Sequence, residues 1–133
     1  MNNKQLAYFL ARITLGINFF IHGLVRIPKL ETFANGIIKG FENTMLPEFL
    51  VLPIAYAIPI VELILGLFLV LGLLTRKTLT GAAGLMIILI AGSAFKEDWG
   101  TVGTQMLYSL YIFFLIFFQE NERMAVYSEN RKV

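Results

Sequence analysis

Hydrophobic positions along this chain fall into four long blocks, residues 7–27, 50–74, 78–95 and 101–118, each bounded by charged or polar side chains. A helix needs roughly 20 apolar residues to cross the hydrocarbon core of a bilayer, and the blocks are close to that length. Together they use most of the 133 residues and leave no linker. The pattern therefore predicts an all-α fold, a transmembrane four-helix bundle forming a single membrane domain over residues 1–133. The longest connection, residues 28–49, has its own periodicity. Leu30, Phe33, Ala34, Ile37, Phe41 and Met45 recur at helical spacing against Glu31, Thr32, Asn35, Lys39 and Glu42. This predicts a short amphipathic helix lying in the membrane interface. An interfacial anchor is the simpler reading and a lid is the alternative. Gly36 and Gly40 weaken the helix.

Composition agrees with the block pattern. The chain is 57% hydrophobic, above the roughly 45–50% of soluble domains, so a lipid bilayer must solvate much of its apolar surface. The net charge of +2 comes from charges gathered in loops and tails and does not suggest a nucleic-acid partner. There is no cysteine, which excludes disulfides, thiolate zinc sites, iron–sulfur clusters and dithiol relays. The first block reads as a retained helix and not a cleaved signal, because Arg12 interrupts it and no small-x-small site follows. Four spans put both termini on one side, with Lys4, Arg76, Lys77, Arg123, Arg131 and Lys132. Arg26, Lys29, Lys39 and Lys96 lie on the other. The excess of positive charge favours cytoplasmic termini. Gly81, Gly84 and Gly92 suit close helix packing. The aromatic fourth block reads as packing, and Trp99 and Tyr127 as interfacial belt residues.

Few polar side chains interrupt the blocks. Glu62 is the sole ionisable residue of 50–74, and a charge there costs at least about 2.5–3.5 kcal/mol. Arg12, Asn18 and His22 lie in the first block, and Gln105 and Ser109 in the fourth. At 100° per residue, Arg12, Phe19, Gly23 and Arg26 share a face broadly with His22. Ala55, Pro59, Glu62, Gly66 and Leu69 share another. Aligning the first two blocks at their midpoints puts Arg12 roughly 7–8 Å to one side of Glu62 and His22 as far to the other. Two arrangements follow. Glu62 can pair with Arg12 to fix helix register. Alternatively, Glu62, His22, Asn18 and Gln105 line a pocket opening outward, with Glu62 and His22 handling protons. Arg26 would snorkel to headgroups or receive an anion. One histidine cannot supply two axial haem ligands, and no metal cluster of suitable spacing is present.

These residues together resemble the DoxX family of small bacterial membrane proteins over nearly the whole chain. The matching pieces are Arg12 with Leu15-Gly16, His22-Gly23 followed by Arg26, Glu62 followed by Gly66, and the Gly-Leu-Leu-Thr-Arg exit at residues 72–76. The resemblance implies a four-helix membrane fold in the bacterial cytoplasmic (inner) membrane. It also implies kinship with the membrane subunit of thiosulfate:quinone oxidoreductase. Quinone binding would then fall to Arg12, Asn18, Arg26 and Gln105, with His22 and Glu62 as catalytic proton handlers and an anionic reductant drawn to Arg26. Electrons would pass from substrate or a partner protein directly to quinone. The other expectation is a non-catalytic scaffold or partner subunit, alone or as a homo-oligomer. The end of the chain departs from the family, since residues 119–133 lack the Gly-Pro-Gly-rich segment and late aspartate of many members.

Overall fold

The computed structural model of the chain describes residues 1–127; Arg131 and Lys132, counted above in the charge balance, lie outside them. The elements are α1 (Asn3–Arg26), a 3-10 turn (Ile27–Lys29), α2 (Leu30–Gly40), α3 (Glu48–Leu71), α4 (Thr75–Phe95) and α5 (Trp99–Phe117). Among the described residues there is no strand, and four helical stretches are long and apolar enough to cross a membrane, the first running from α1 into α2. The four-helix bundle expected from the blocks is what forms. Each long helix starts two to four residues before its block, because polar residues belong in a first turn. Asn2 accepts from the Gln5 amide at 2.9 Å while the Gln5 side chain accepts from the Asn2 amide at 3.1 Å, a capping box. Asp98 caps α5, accepting from the Thr101 hydroxyl (2.7 Å) and amide (3.3 Å). Those two bonds hold its exposed carboxyl below the usual aspartate range.

The outward faces are apolar. Leu10, Ile17, Ile21, Ile60, Ile64, Ile87, Leu107 and Phe113 are all exposed, as a lipid-facing surface requires. The inward faces of α1 and α3 are the two stripes expected from the sequence, Arg12–Phe19–Gly23 against Ala55–Pro59–Glu62–Gly66–Leu69. This is the most extensive helix pairing in the bundle, and glycines make it so close. A Cβ at Gly66 would lie 2.2 Å from the backbone nitrogen of Phe20. At Gly23 it would lie 2.5 Å from both the Leu63 nitrogen and the Pro59 oxygen. Backbone cannot yield as a side-chain tip can, so Gly66→Ala must push α1 and α3 apart. The expected loss is about 1–3 kcal/mol or more, read as a lowered midpoint in thermal unfolding in mild detergent. A Cβ at Gly84 meets nothing within 4 Å, so Gly84→Ala should not lower the midpoint and, inside a helix, should raise it slightly.

The α3–α4 connection turns at Gly72, in the left-handed region at φ 70°, and Leu74 follows at φ 45°. Past α5 the chain makes a turn at Gln119–Asn121 and then returns beneath this connection. The Val126 amide donates to Leu71 O (3.0 Å) and the Tyr127 amide to Gly72 O (3.1 Å). A Cβ at Gly72 would sit 2.6 Å from the Arg12 guanidinium and 2.8 Å from Ala125, so glycine serves both backbone angle and space.

Candidate functional site

Antiparallel α1 and α3 set where their charged residues meet. Cβ bonds tilt toward a helix N-terminus, so side chains of α1 lean toward its start while those of α3 lean toward α2. Arg26 therefore reaches back and Glu62 reaches forward. The Arg26 Nη1 donates to both Glu62 oxygens, at 3.0 and 2.9 Å. The Glu62 side chain is 6% exposed and that of Arg26 is 28% exposed. The guanidinium also lies 4.5 Å from the Phe33 ring centroid of α2. Arg26 thus neither points out to headgroups nor stands ready as an isolated cation, as its place near the helix end had suggested.

The expected Glu62–Arg12 pair does not form. Arg12 lies beside Gly72 at the other end of α3, and its side chain leans farther from Glu62. It pairs with Glu122 (3.2 Å) and donates to Met124 O (3.3 Å). Both partners of that pair are buried, at 1% and 0% side-chain exposure. The Thr75 hydroxyl donates to the same Glu122 carboxylate. Arg12 is accordingly remote from the other polar residues singled out in the sequence. Glu122 lies past the last apolar block, so hydropathy offered no signal for its burial.

The remaining candidates do converge. Asn18, His22, Arg26, Glu62 and Gln105 line one cavity of about 540 Å³ at the α2 end of the bundle, together with Tyr108 and Ser93. Asn18 Nδ2 donates to the Tyr108 hydroxyl at 2.8 Å, joining α1 to α5. His22 Nδ1 lies 2.8 Å from Asn18 O. A carbonyl oxygen only accepts, so Nδ1 carries the proton of this bond, and in the neutral ring Nε2 is an acceptor. Gln105 Oε1 is buried and has no hydrogen-bond partner. Lys96 and Thr101 also line the cavity, and the rest of the wall is apolar, including Phe19, Ile58, Met86 and Leu89. Phe33 and Ile37 of α2 and Phe41 just past its end also line it, so the amphipathic segment covers the cavity. Tyr108 was readable only as one aromatic among many in α5. Its spacing of three from Gln105, which puts both on one helix face, was the available signal. Among the described residues no three of His, Asp and Glu converge as a metal site would require.

The model of the DoxX family matches residues 7–95, two-thirds of the chain, spanning α1 through α4. This chain is a DoxX-family protein. It is also 38% identical over 72 residues to "Putative oxidoreductase CatD" of Bacillus subtilis (strain 168), a stretch covering 54% of this chain and 48% of that protein. The chain thus spans about half the length of the relative it matches. No solved structure matches significantly. The family match takes in Arg12, Asn18, His22, Arg26 and Glu62 of this DoxX protein but stops short of α5, which contributes Gln105 and Tyr108 to the cavity.

Proposed function

We propose that this multi-pass membrane protein binds the head group of a quinone or hydroquinone and serves as a quinone-linked redox subunit. It would reside in the bacterial cytoplasmic membrane with its termini on the cytoplasmic side. The observation that carries this reading is the cavity itself, mostly apolar, set among helices long and apolar enough to cross a membrane, and lined by Asn18, His22, Arg26, Glu62, Gln105 and Tyr108. Ligand sites of this type fix orientation with a few polar groups and gain affinity from the apolar wall. The Gln105 amide fits both redox forms of a quinone ring: its NH2 can donate to a quinone carbonyl, and its buried oxygen, which lacks a protein partner, can accept from a hydroquinone hydroxyl. A bound quinone supplies two-electron, two-proton chemistry. The chain supplies orientation through Gln105, a proton acceptor at His22 Nε2, and at Glu62 a carboxylate held in place by Arg26. Electrons come from a reductant or a partner protein. The oxidoreductase name of the Bacillus relative supports the reaction class.

The test is quinone content after gentle purification, by solvent extraction and mass spectrometry. Near-stoichiometric quinone is expected in the parent. In Gln105→Leu it should fall about 3–10-fold, the worth of one hydrogen bond. Background quinone in both proteins would overturn the reading.

A second reading rests on a different observation. Both ion pairs, Arg12–Glu122 and Arg26–Glu62, are closed within the chain, as they would be in a non-catalytic partner subunit whose polar core specifies the bundle.

A further inference from the structure

The cavity is crossed by α2 at one end and reaches the molecular surface between α3 and α4. Phe33 is held beneath the Arg26 guanidinium, and the Phe41 ring lies 5.1 Å from Lys96 Nζ. The Phe41 ring also packs against Gly92, where an added Cβ would lie 3.2 Å from it. The lateral wall differs. α3 and α4 form a hairpin about the Gly72–Leu74 turn, and they pack closely near it, with Leu65 3.4 Å from where a Cβ on Gly81 would be. Leu65 and Gly81 are equally far from Leu73 along the chain. Carried toward α2, that register sets Ile58 level with Ile88, Ile54 with Gly92, and Leu50 close to Phe95 and Lys96. Here the cavity wall is also the molecular surface. Leu50, Ile54, Ile88 and Phe95 all line the cavity, yet they are 47%, 42%, 50% and 46% exposed. A residue that lines a cavity and is half exposed marks a mouth. Four apolar side chains flank this mouth, as they would an opening onto acyl chains, and the exposed Lys96 and Thr101, which also line the cavity, stand at its α2 end.

Asn18, His22, Glu62, Gln105 and Tyr108 lie on α1, α3 and α5, while α4 adds the Ser93 hydroxyl and, just past its end, Lys96. A molecule entering between Ile54 and Ile88 therefore passes apolar side chains before it meets Asn18, His22 and Gln105. We infer that the α3–α4 seam at the α2 end is a lateral portal, and that the ligand is a membrane-dissolved quinone with a long isoprenoid tail. The head group reaches Gln105 and His22 while the tail lies between Ile54 and Ile88 and out into lipid. This rests on the quinone reading above and narrows it, because a tail-less, water-soluble quinone would gain nothing from the seam.

The chain has no cysteine, so the seam can be closed reversibly. Ile54→Cys and Ile88→Cys are combined, the protein is stripped of quinone and placed in lipid nanodiscs, and a bis-methanethiosulfonate reagent bridges the two thiols. Binding is measured for one quinone head group with an eight-isoprene tail and for the same head group without it. Before bridging, the tailed quinone should bind at least about tenfold more tightly. Bridging should cut its binding about tenfold while the tail-less compound stays within about twofold, and reductant should restore the tailed compound in the same sample. Unchanged uptake of the tailed quinone after bridging, or equal loss of both compounds, would overturn the portal and leave the head-group site standing. Failure of both compounds to bind the unbridged protein would instead remove the quinone reading and the portal with it.

Discussion

Replacing Arg12 with leucine is expected to destabilise the bundle by about 3–5 kcal/mol, the usual cost of stripping one partner from a buried ion pair. The reason is burial. Glu122 is wholly buried, and losing Arg12 takes from its carboxylate a cation that the neutral Thr75 hydroxyl bonded to it does not replace. Arg12 does more than neutralise it. By pairing with Glu122 and donating to Met124 O, it ties α1 to the returning segment under the α3–α4 turn. Glu122→Leu should cost a similar amount, now by leaving the guanidinium buried without its carboxylate. The double variant Arg12→Leu/Glu122→Leu should recover most of either loss, since apolar replacement of a whole buried pair is often neutral. Denaturant titrations in mild detergent on the parent and three variants give the cycle. The cavity should not register these changes, because Arg12 lies level with the Gly72 turn, about 15 Å along the helix axis from the level of Glu62. Folded Arg12→Leu protein should therefore retain its quinone. If it folds as stably as the parent, the pair does not hold the termini end of the bundle.

Why Arg12 was a plausible partner for Glu62 in the sequence, and is not one in the fold, comes down to helix stagger. Block composition locates a span and its midpoint, and matching midpoints sets Ile17 against Glu62. The observed register has Gly16 against Leu69 and Val70, and Gly23 against Pro59 and Leu63, an offset of about two helical turns. Steric fit chooses that register. Gly16, Gly23 and Gly66 are the places where backbones can touch, and hydropathy is blind to which glycines will face one another. The inward stripes were legible because 3.6-residue periodicity alone defines a face. For the same reason the set Asn18, His22, Glu62 and Gln105 could be gathered from their rarity in apolar blocks. What could not be read were contacts depending on chain return or on aromatic context. Glu122 lies in a polar tail that looks solvated, and Tyr108 lies in a helix where aromatic residues are common. Arg26 looked like a snorkelling residue because it ends α1, whereas the backward tilt of its side chain carries it toward Glu62.

The Arg26–Glu62 pair separates a working site from a scaffold. Arg26→Gln leaves a carboxylate that is 6% exposed without its cation, so the expected loss of stability is about 3–5 kcal/mol. Glu62→Gln is milder. It leaves a guanidinium that is 28% exposed and still rests against Phe33, and solvent screening holds the cost to on the order of 1 kcal/mol. The double variant Arg26→Leu/Glu62→Leu removes both charges and should return stability to within about 2 kcal/mol of the parent. Quinone retention should not follow stability. If the cavity binds a quinone head, Glu62→Gln and the double variant should both lose bound quinone, because each lacks the oriented carboxylate at the cavity wall. The loss is expected to be at least about tenfold, equivalent to about 1.4 kcal/mol of binding. A scaffold behaves differently, since a core that serves only to specify the bundle is indifferent to the chemistry of the pair once it is stably filled. In that case the double variant would match the parent in every property that Arg26→Gln had impaired. Recovery of stability without recovery of quinone is the combination that a scaffold role cannot produce, and measuring both on the same preparations decides between the two.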